Sequence, residues 1–167
     1  MRGPAPEESD ALLAVASASG LFGEGEVEEL LGAALTSWHA GALGEGHAVR
    51  VACGSGAEES RVLGWAYLAP AEGNQEAEGA PAFELLWVGV APDARRAGVG
   101  AALVADAELT ARAAGAACLI IRTSTQPETA AARALYAKSG YQLHGDAVPD
   151  YYGPGVHGLE YRKPLDV

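Results

Sequence analysis

The stretch from Glu84 to Leu103, ELLWVGVAPDARRAGVGAAL, limits more than any other what this chain can become. After Glu84 its first half is apolar and β-prone, which predicts a buried strand closing at Val90. Pro92 and Asp93 stop that strand. Arg95-Arg96-Ala97-Gly98-Val99-Gly100 then leads into an Ala/Leu/Val run of helical character. A strand feeding a glycine-rich helix start builds an anion site. The first helical amides lack partners, the dipole favours negative charge, and glycine lets a phosphate approach the backbone. Two arginines beside those amides add charge and donors. No Gly-Lys-Ser/Thr follows, so the segment is no P-loop. A dinucleotide fingerprint would need Gly or Ala where Leu103 stands, and an acidic residue about 20 positions on, and neither is present.

Charge points the same way. Of 167 residues, 22 are acidic and 11 are Lys or Arg, a net of −11. That balance argues against nucleic acid and anionic membrane as partners. The distribution is uneven: residues 1–90 carry 3 basic and 14 acidic groups, residues 91–140 carry 6 and 4, and the remainder 2 and 4. The one net-positive segment holds the proposed phosphate site, which is where an anionic cofactor needs it.

A chain of this length and 49% hydrophobic content reads as one domain, residues 1–167, with its own core. Cys53 and Cys118 form no metal or redox spacing and read as reduced thiols, which suits the cytoplasm. The apolar run Ala11–Phe22 follows Glu7, Glu8 and Asp10 rather than a basic segment, so it reads as fold and not as an export signal. It is too short to span a membrane.

Residues 1–46 read as mostly helical. Met1–Pro4 is a short edge strand, Ser9 or Asp10 caps a helix through about Ser19, and Glu24–Leu35 forms a second helix whose apolar face is Val27, Leu30, Leu31 and Leu35. His39 and His47 belong to no pattern. His47–Cys53 and Arg61–Ala69 read as a hairpin around a turn at Gly54–Ser60, and Ala71–Pro81 as an exposed loop. Gly98–Ala114 is a helix ended by Gly115, and Ala117–Thr123 is a buried strand in which Cys118 is core. Strand, helix and strand of this length imply a right-handed parallel unit. Pro127 and Glu128 suit the first turn of another helix, with Gly140 at its end. Tyr141–Ala147 and Leu159–Leu165 read as a closing pair of strands.

Period two puts Glu84, Leu86, Val88 and Val90 on one face of the central strand and Phe83, Leu85 and Trp87 on the other. Glu84 is the one charge in that run, either a proton acceptor, directly or through water, or a solvated residue at the strand's start. Gly89 predicts a bulge or a close backbone approach.

Three features together resemble the GCN5-related N-acetyltransferases (GNAT). Arg95, Gly98 and Gly100, after Val90-Ala91-Pro92, resemble the family's motif A. Thr129–Tyr141, TAAARALYAKSGY, resembles its Asn-x-x-Ala-x-x-Leu-Tyr-x-x-x-Gly-Phe/Tyr signature, with Ala132, Leu135, Tyr136, Gly140 and Tyr141 in place and Thr129 where the family has Asn. The aromatic, glycine-containing Tyr151–Gly155 followed by Arg162-Lys163-Pro164-Leu165 resembles the family's tail.

The resemblance implies an α/β (α+β) fold: a mixed, mostly antiparallel sheet flanked by helices, with one central parallel βαβ unit that binds acetyl-CoA. It implies direct acetyl transfer to a primary amine, with no metal. Arg95, Arg96, Ala97, Gly98, Val99 and Gly100 would hold the cofactor's phosphates. The main chain of Val88 and Val90 would pair with its pantetheine arm, and Thr129, Arg133 and Tyr136 would complete the cofactor contacts. Glu84 stands where the histone-acetylating branch has its general base. Tyr136 would protonate the departing thiolate, either in a coupled step or with a lowered pKa. Tyr152 and His157 would touch the acceptor. The acidic N-terminal half favours a cationic small molecule or a protein amine, and the family makes a homodimer the assembly to test. A non-catalytic acyl-CoA sensor is the alternative; it would need Arg95–Gly100 but neither Glu84 nor Tyr136.

Overall fold

Alternating burial sets the first hairpin. In β1 (Ala48–Cys53) Val49 and Val51 are fully buried, and the intervening Arg50 reaches out to Asp106 at 2.6 and 3.1 Å. β1 pairs antiparallel with β2 (Val62–Pro70), from Ala48 opposite Leu68 to Cys53 opposite Val62. The computed structural model describes residues 1–23, 25–55, 61–71 and 81–166. Most of the turn expected at Gly54–Ser60, most of the loop expected at Ala71–Pro81, and Glu24 lie outside the described residues.

The other strands are β3 (Ala82–Val90), β4 (Cys118–Ser124), β5 (Gln142–Leu143) and β6 (Gly158–Pro164), in the sheet order β1-β2-β3-β4-β6-β5. β3 runs parallel to β4, with Ala82, Phe83 and Glu84 opposite Cys118, Leu119 and Ile120. β4–β6 and β5–β6 are antiparallel. Four α-helices accompany the sheet: α1 (Ser9–Ser17), α2 (Ala33–His39), α3 (Val99–Ala113) and α4 (Ala130–Lys138). This is the mixed, mostly antiparallel architecture with one parallel pair that the sequence predicts. Among the described residues no helix is long and apolar enough to cross a membrane.

The chain divides into two compact units, Met1–Leu68 with Trp87–Ala107, and Ala69–Leu86 with Glu108–Val167. The core of the first gathers Leu12, Leu35, Val49, Val51 and Trp65. Trp65 is fully buried, and its indole N–H donates to the Leu12 carbonyl at 2.8 Å, so a large apolar group enters the core with its one donor satisfied. In the second unit Leu119, Ile120 and Ile121 of β4 are buried, and so are Tyr136 and Tyr141. Lys163 holds the buried Glu108 with both carboxylate oxygens at 2.8 Å.

Four expectations are corrected. The second helix runs on to His39 and carries a π turn over Glu28–Gly32. That wider turn shifts the register, so Val27, Leu31 and Leu35 are buried while Leu30 is 59% exposed. Met1–Pro4 makes only the bridge Arg2–Val51, because Pro4 has no N–H to extend it. The strand expected over Tyr141–Ala147 stops at Leu143, just before Gly145 in a left-handed conformation (φ 72°). The Glu84-Leu86-Val88-Val90 face of β3 is not buried: Leu86 is 47% exposed, while Phe83, Leu85 and Trp87 are inside.

The close approach expected at Gly89 exists, and Gly64 makes it. A Cβ at Gly64 would sit 2.5 Å from the Gly89 carbonyl oxygen, 3.1 Å from Leu103 Cδ1 and 3.2 Å from Val90 Cα. Replacing a strand glycine by alanine ordinarily stabilises by about 0.5–1 kcal/mol. Here Gly64→Ala is expected to destabilise by about 1–3 kcal/mol, because backbone must move. Urea unfolding of the two proteins checks the sign.

Candidate functional site

The turn expected to hold phosphate lies in the first unit. β3 ends at Val90, a short 3₁₀ turn covers Pro92–Ala94, and α3 begins at Val99. Between them Arg96 (φ 63°) and Gly98 (φ 84°) both take left-handed backbone conformations. At Gly98 a Cβ would meet nothing within 4 Å, so glycine is required there by the backbone angle and not by space. At Arg96 the same conformation costs about 1–2 kcal/mol for a residue with a Cβ. Such a turn aims successive N–H groups to one side, beside the free amides at the start of α3. Arg95 to Gly98 are exposed.

The two arginines differ. Arg95 donates to the carbonyls of Val90 (3.4 Å) and Ala18 (3.2 Å), which braces the turn. Arg96 has no side-chain hydrogen bond or ion pair among the described residues, so its charge is available to a ligand. Val88 and Val90 are half-buried.

The second unit holds the groups expected to do chemistry. Glu84 ends the parallel ladder, and its Oε2 accepts from Nη1 of Arg122 on β4. Arg122 Nε donates at 3.0 Å to Oε2 of Glu160, its direct cross-strand partner on β6. Glu160 Oε1 accepts from Arg162 Nε at 2.6 Å. Four alternating charges thus run across three strands. The Glu84 side chain is 12% exposed and that of Arg122 is 21% exposed. Glu84 is therefore a paired carboxylate and not the isolated charge the sequence suggests. Arg122 was legible as the one charge in CLIIRTS, the feature that singled out Glu84 on β3.

Arg122 and Glu160 also line a cleft of about 140 Å³ with His144, Asp146, Tyr151 and Tyr152. Tyr151 and Tyr152 meet edge to face with ring centroids 4.8 Å apart, and both are about half exposed. The loop that carries them is held by Asp150, whose Oδ1 accepts from Gly155 N at 2.7 Å. Burial pushes the Tyr152 hydroxyl up to about 12; its neighbours Tyr151 and Glu84 act in the same direction and the Arg122 guanidinium against it. His157 does not line the cleft. Its Nδ1 accepts from the Asp150 amide at 3.1 Å, which makes it part of the loop's own bracing.

Tyr136 on α4 is 5% exposed and packs against Tyr141 and Tyr161. Burial lifts its hydroxyl to about 12, with Tyr152 and Tyr161 pushing the same way. The lowered pKa that outright proton transfer would favour is absent. Thr129 is buried, and its hydroxyl faces the Ser124 and Gln126 carbonyls at 2.8 and 2.9 Å. Arg133 Nη1 donates to those same two carbonyls at 2.8 and 2.9 Å and to the Thr129 hydroxyl. Thr129 and Arg133 thus tie the β4–α4 turn together, and their side chains face that turn rather than a ligand.

A family profile described as "Acetyltransferase (GNAT) domain" matches residues 46–143. No curated protein matches the chain by sequence. Among solved structures, a protein assigned to the GNAT family from Desulfovibrio desulfuricans is 22% identical over 99% of this chain and 98% of its own, with a TM-score of 0.80. Ribosomal-protein-alanine N-acetyltransferase from Brucella melitensis is 23% identical over 98% of each chain, with a TM-score of 0.71. Nourseothricin acetyltransferase is 25% identical over 73% of this chain and 67% of its own, with a TM-score of 0.60. The first two likenesses speak for the fold. The profile covers more than half of the sequence and the motifs within it, and on that ground the chain belongs to the GNAT family and is an acetyl-CoA-dependent N-acetyltransferase.

Proposed function

We propose that this enzyme moves the acetyl group directly to a primary amine that carries further positive charge, with Glu84 as proton acceptor and Tyr136 as donor to the leaving sulfur. The observation that carries the reading is geometric: the Glu84 carboxylate is held by Arg122, and the same Arg122 lines the cleft with Tyr151 and Tyr152. An ammonium is no nucleophile, so a base must first remove its proton. Glu84 takes it, directly or through one water, on the oxygen that Arg122 leaves free. The main chain at Val88–Val90 holds the pantetheine arm and donates to the oxyanion, a role worth roughly 3 kcal/mol per donor. Tyr136 hydrogen-bonds to the departing sulfur. A hydroxyl near 12 would lose roughly 5 kcal/mol by giving its proton outright to a thiolate of about 8.5, so donation is concerted with bond cleavage or stops at a hydrogen bond.

The Arg96–Gly100 turn takes the phosphates, with Arg95 as its brace, and the Thr129–Arg133 staple fixes the turn before α4. Tyr151 and Tyr152 suit an ammonium over their faces, and Asp146 adds negative charge to the same cleft. The acceptors named for the solved relatives, nourseothricin and a ribosomal-protein alanine, differ widely, so likeness of fold does not choose among cations. The family profile takes in stretches of both compact units, which supports one catalytic domain. The two cysteines are free, which suits the cytoplasm, and a homodimer is the assembly proposed.

With the best acceptor, Glu84→Gln is expected to lower kcat by about 100-fold and Tyr136→Phe by about tenfold, with the KM for acetyl-CoA within about threefold. Thiol-release kinetics measure both. Wild-type rates in both variants would refute the assignment. Arg96→Ala is expected to weaken acetyl-CoA binding by about tenfold without loss of stability, whereas Arg95→Ala lowers both. Calorimetric titration and thermal melts separate them. The folded-state pKa of Tyr136 lies above its unfolded value of about 10, so its contribution to stability is complete below pH 10 and is lost as pH rises toward 12. Tyr136→Phe should flatten that alkaline loss in urea unfolding series.

A further inference from the structure

We infer that Arg122 is a positioning residue for the reaction: it fixes the Glu84 carboxylate by one oxygen beside the tyrosine cleft and leaves the other to meet the acceptor amine. The inference rests on Glu84 as the proton acceptor. Glu84 stands at the last rung of the parallel ladder, Ala82–Glu84 opposite Cys118–Ile120. Beyond that rung a glutamate has three rotatable side-chain bonds and no backbone constraint on its head. Arg122, two residues past Ile120 on the same strand, supplies one. Its Nη1 holds Glu84 Oε2, and among the described residues Glu84 Oε1 has no hydrogen bond.

Arg122 is itself held. Its Nε donates to Glu160 Oε2 at 3.0 Å, and Glu160 is turned by Arg162 at 2.6 Å. A guanidinium anchored at Nε presents its other nitrogens in a fixed plane, a geometry that a lysine ammonium lacks. The same guanidinium lines the cleft with Tyr151 and Tyr152, so the residue that orients Glu84 also borders the space where the amine enters. The anchoring groups arise on β4 and β6, whose register places Arg122 opposite Glu160. Glu160 and Arg162 thus act through Arg122, and Arg122 acts through Glu84.

The test is steady-state kinetics on the full-length protein with Arg122→Met, Arg122→Lys, Glu160→Gln, Glu84→Gln and the double variant Glu84→Gln/Arg122→Met, beside thermal shifts with acetyl-CoA alone. Arg122→Met is expected to lower kcat by about tenfold or more, with the KM for acetyl-CoA and the thermal shift unchanged. Arg122→Lys should recover only part of the rate, and Glu160→Gln should fall between it and wild type. The double variant should be within about twofold of Glu84→Gln alone, because the arginine works only through that carboxylate. Independent, multiplying losses in the double variant would overturn the inference, as would wild-type kcat in Arg122→Met. Should Arg122→Met fail to fold, full wild-type rates in both Arg122→Lys and Glu160→Gln would overturn it as well. Glu84→Gln at wild-type rate would instead refute the base assignment itself, which is a separate outcome.

Discussion

The parallel ladder between β3 and β4 ends at Glu84, and a chain of side-chain ion pairs in the second unit starts from that end. Up to that residue, backbone hydrogen bonds hold the two strands. At Glu84 a side-chain ion pair with Arg122 takes over, and Glu160 and Arg162 extend it across β6. Partly buried charges are stabilising only when paired with good geometry, and removing one member leaves its neighbours uncompensated. The same pairing that tolerates four charges on an otherwise apolar sheet therefore fixes where the Glu84 carboxylate sits. Cys118, Ile120 and Ala82 pack just below it as the dry part of that face.

Against this charged strip, the tyrosines stay neutral. Tyr136 and Tyr152 are each pushed up to about 12, chiefly by burial, so near neutral pH they serve as hydrogen-bond donors and not as anions. The turn before α3, in the first unit, is built by different means. It relies on two left-handed residues, the unpaired amides of a helix start, and one arginine whose charge is unengaged among the described residues.

Much of this was legible in the sequence, where local chemistry decides the outcome. Period two in residues 82–90 separated the buried Phe83, Leu85 and Trp87 from the face of Glu84. Gly115 marked the residue, left-handed in the structure, that ends α3, whereas Gly98, read as the helix's first residue, is the left-handed residue just before it. What could not be read depends on partners distant along the chain. Glu84 and Arg122 are 38 residues apart, and only the strand register brings them together. Thr129 and Arg133 looked like ligand contacts because they sit inside a family signature, yet their heads are taken up by the Ser124 and Gln126 carbonyls. His157 was ambiguous for the same reason, since a loop histidine braces or binds according to which amide it faces. The π turn at Glu28–Gly32 left no mark in composition and showed only in the exposure of Leu30.

The most direct measurement is the stoichiometry of transfer: free thiol released from acetyl-CoA and N-acetylated amine formed, quantified together across a panel of mono- and polyamines, with the protein's own mass followed in the same samples. Direct transfer to a cationic amine requires one acetylated amine per thiol released, faster turnover with acceptors bearing a second positive charge, and no acetyl group retained on the protein. Thiol release without acetylated amine, or an acetyl-protein that forms and decays during turnover, would contradict direct transfer to an amine.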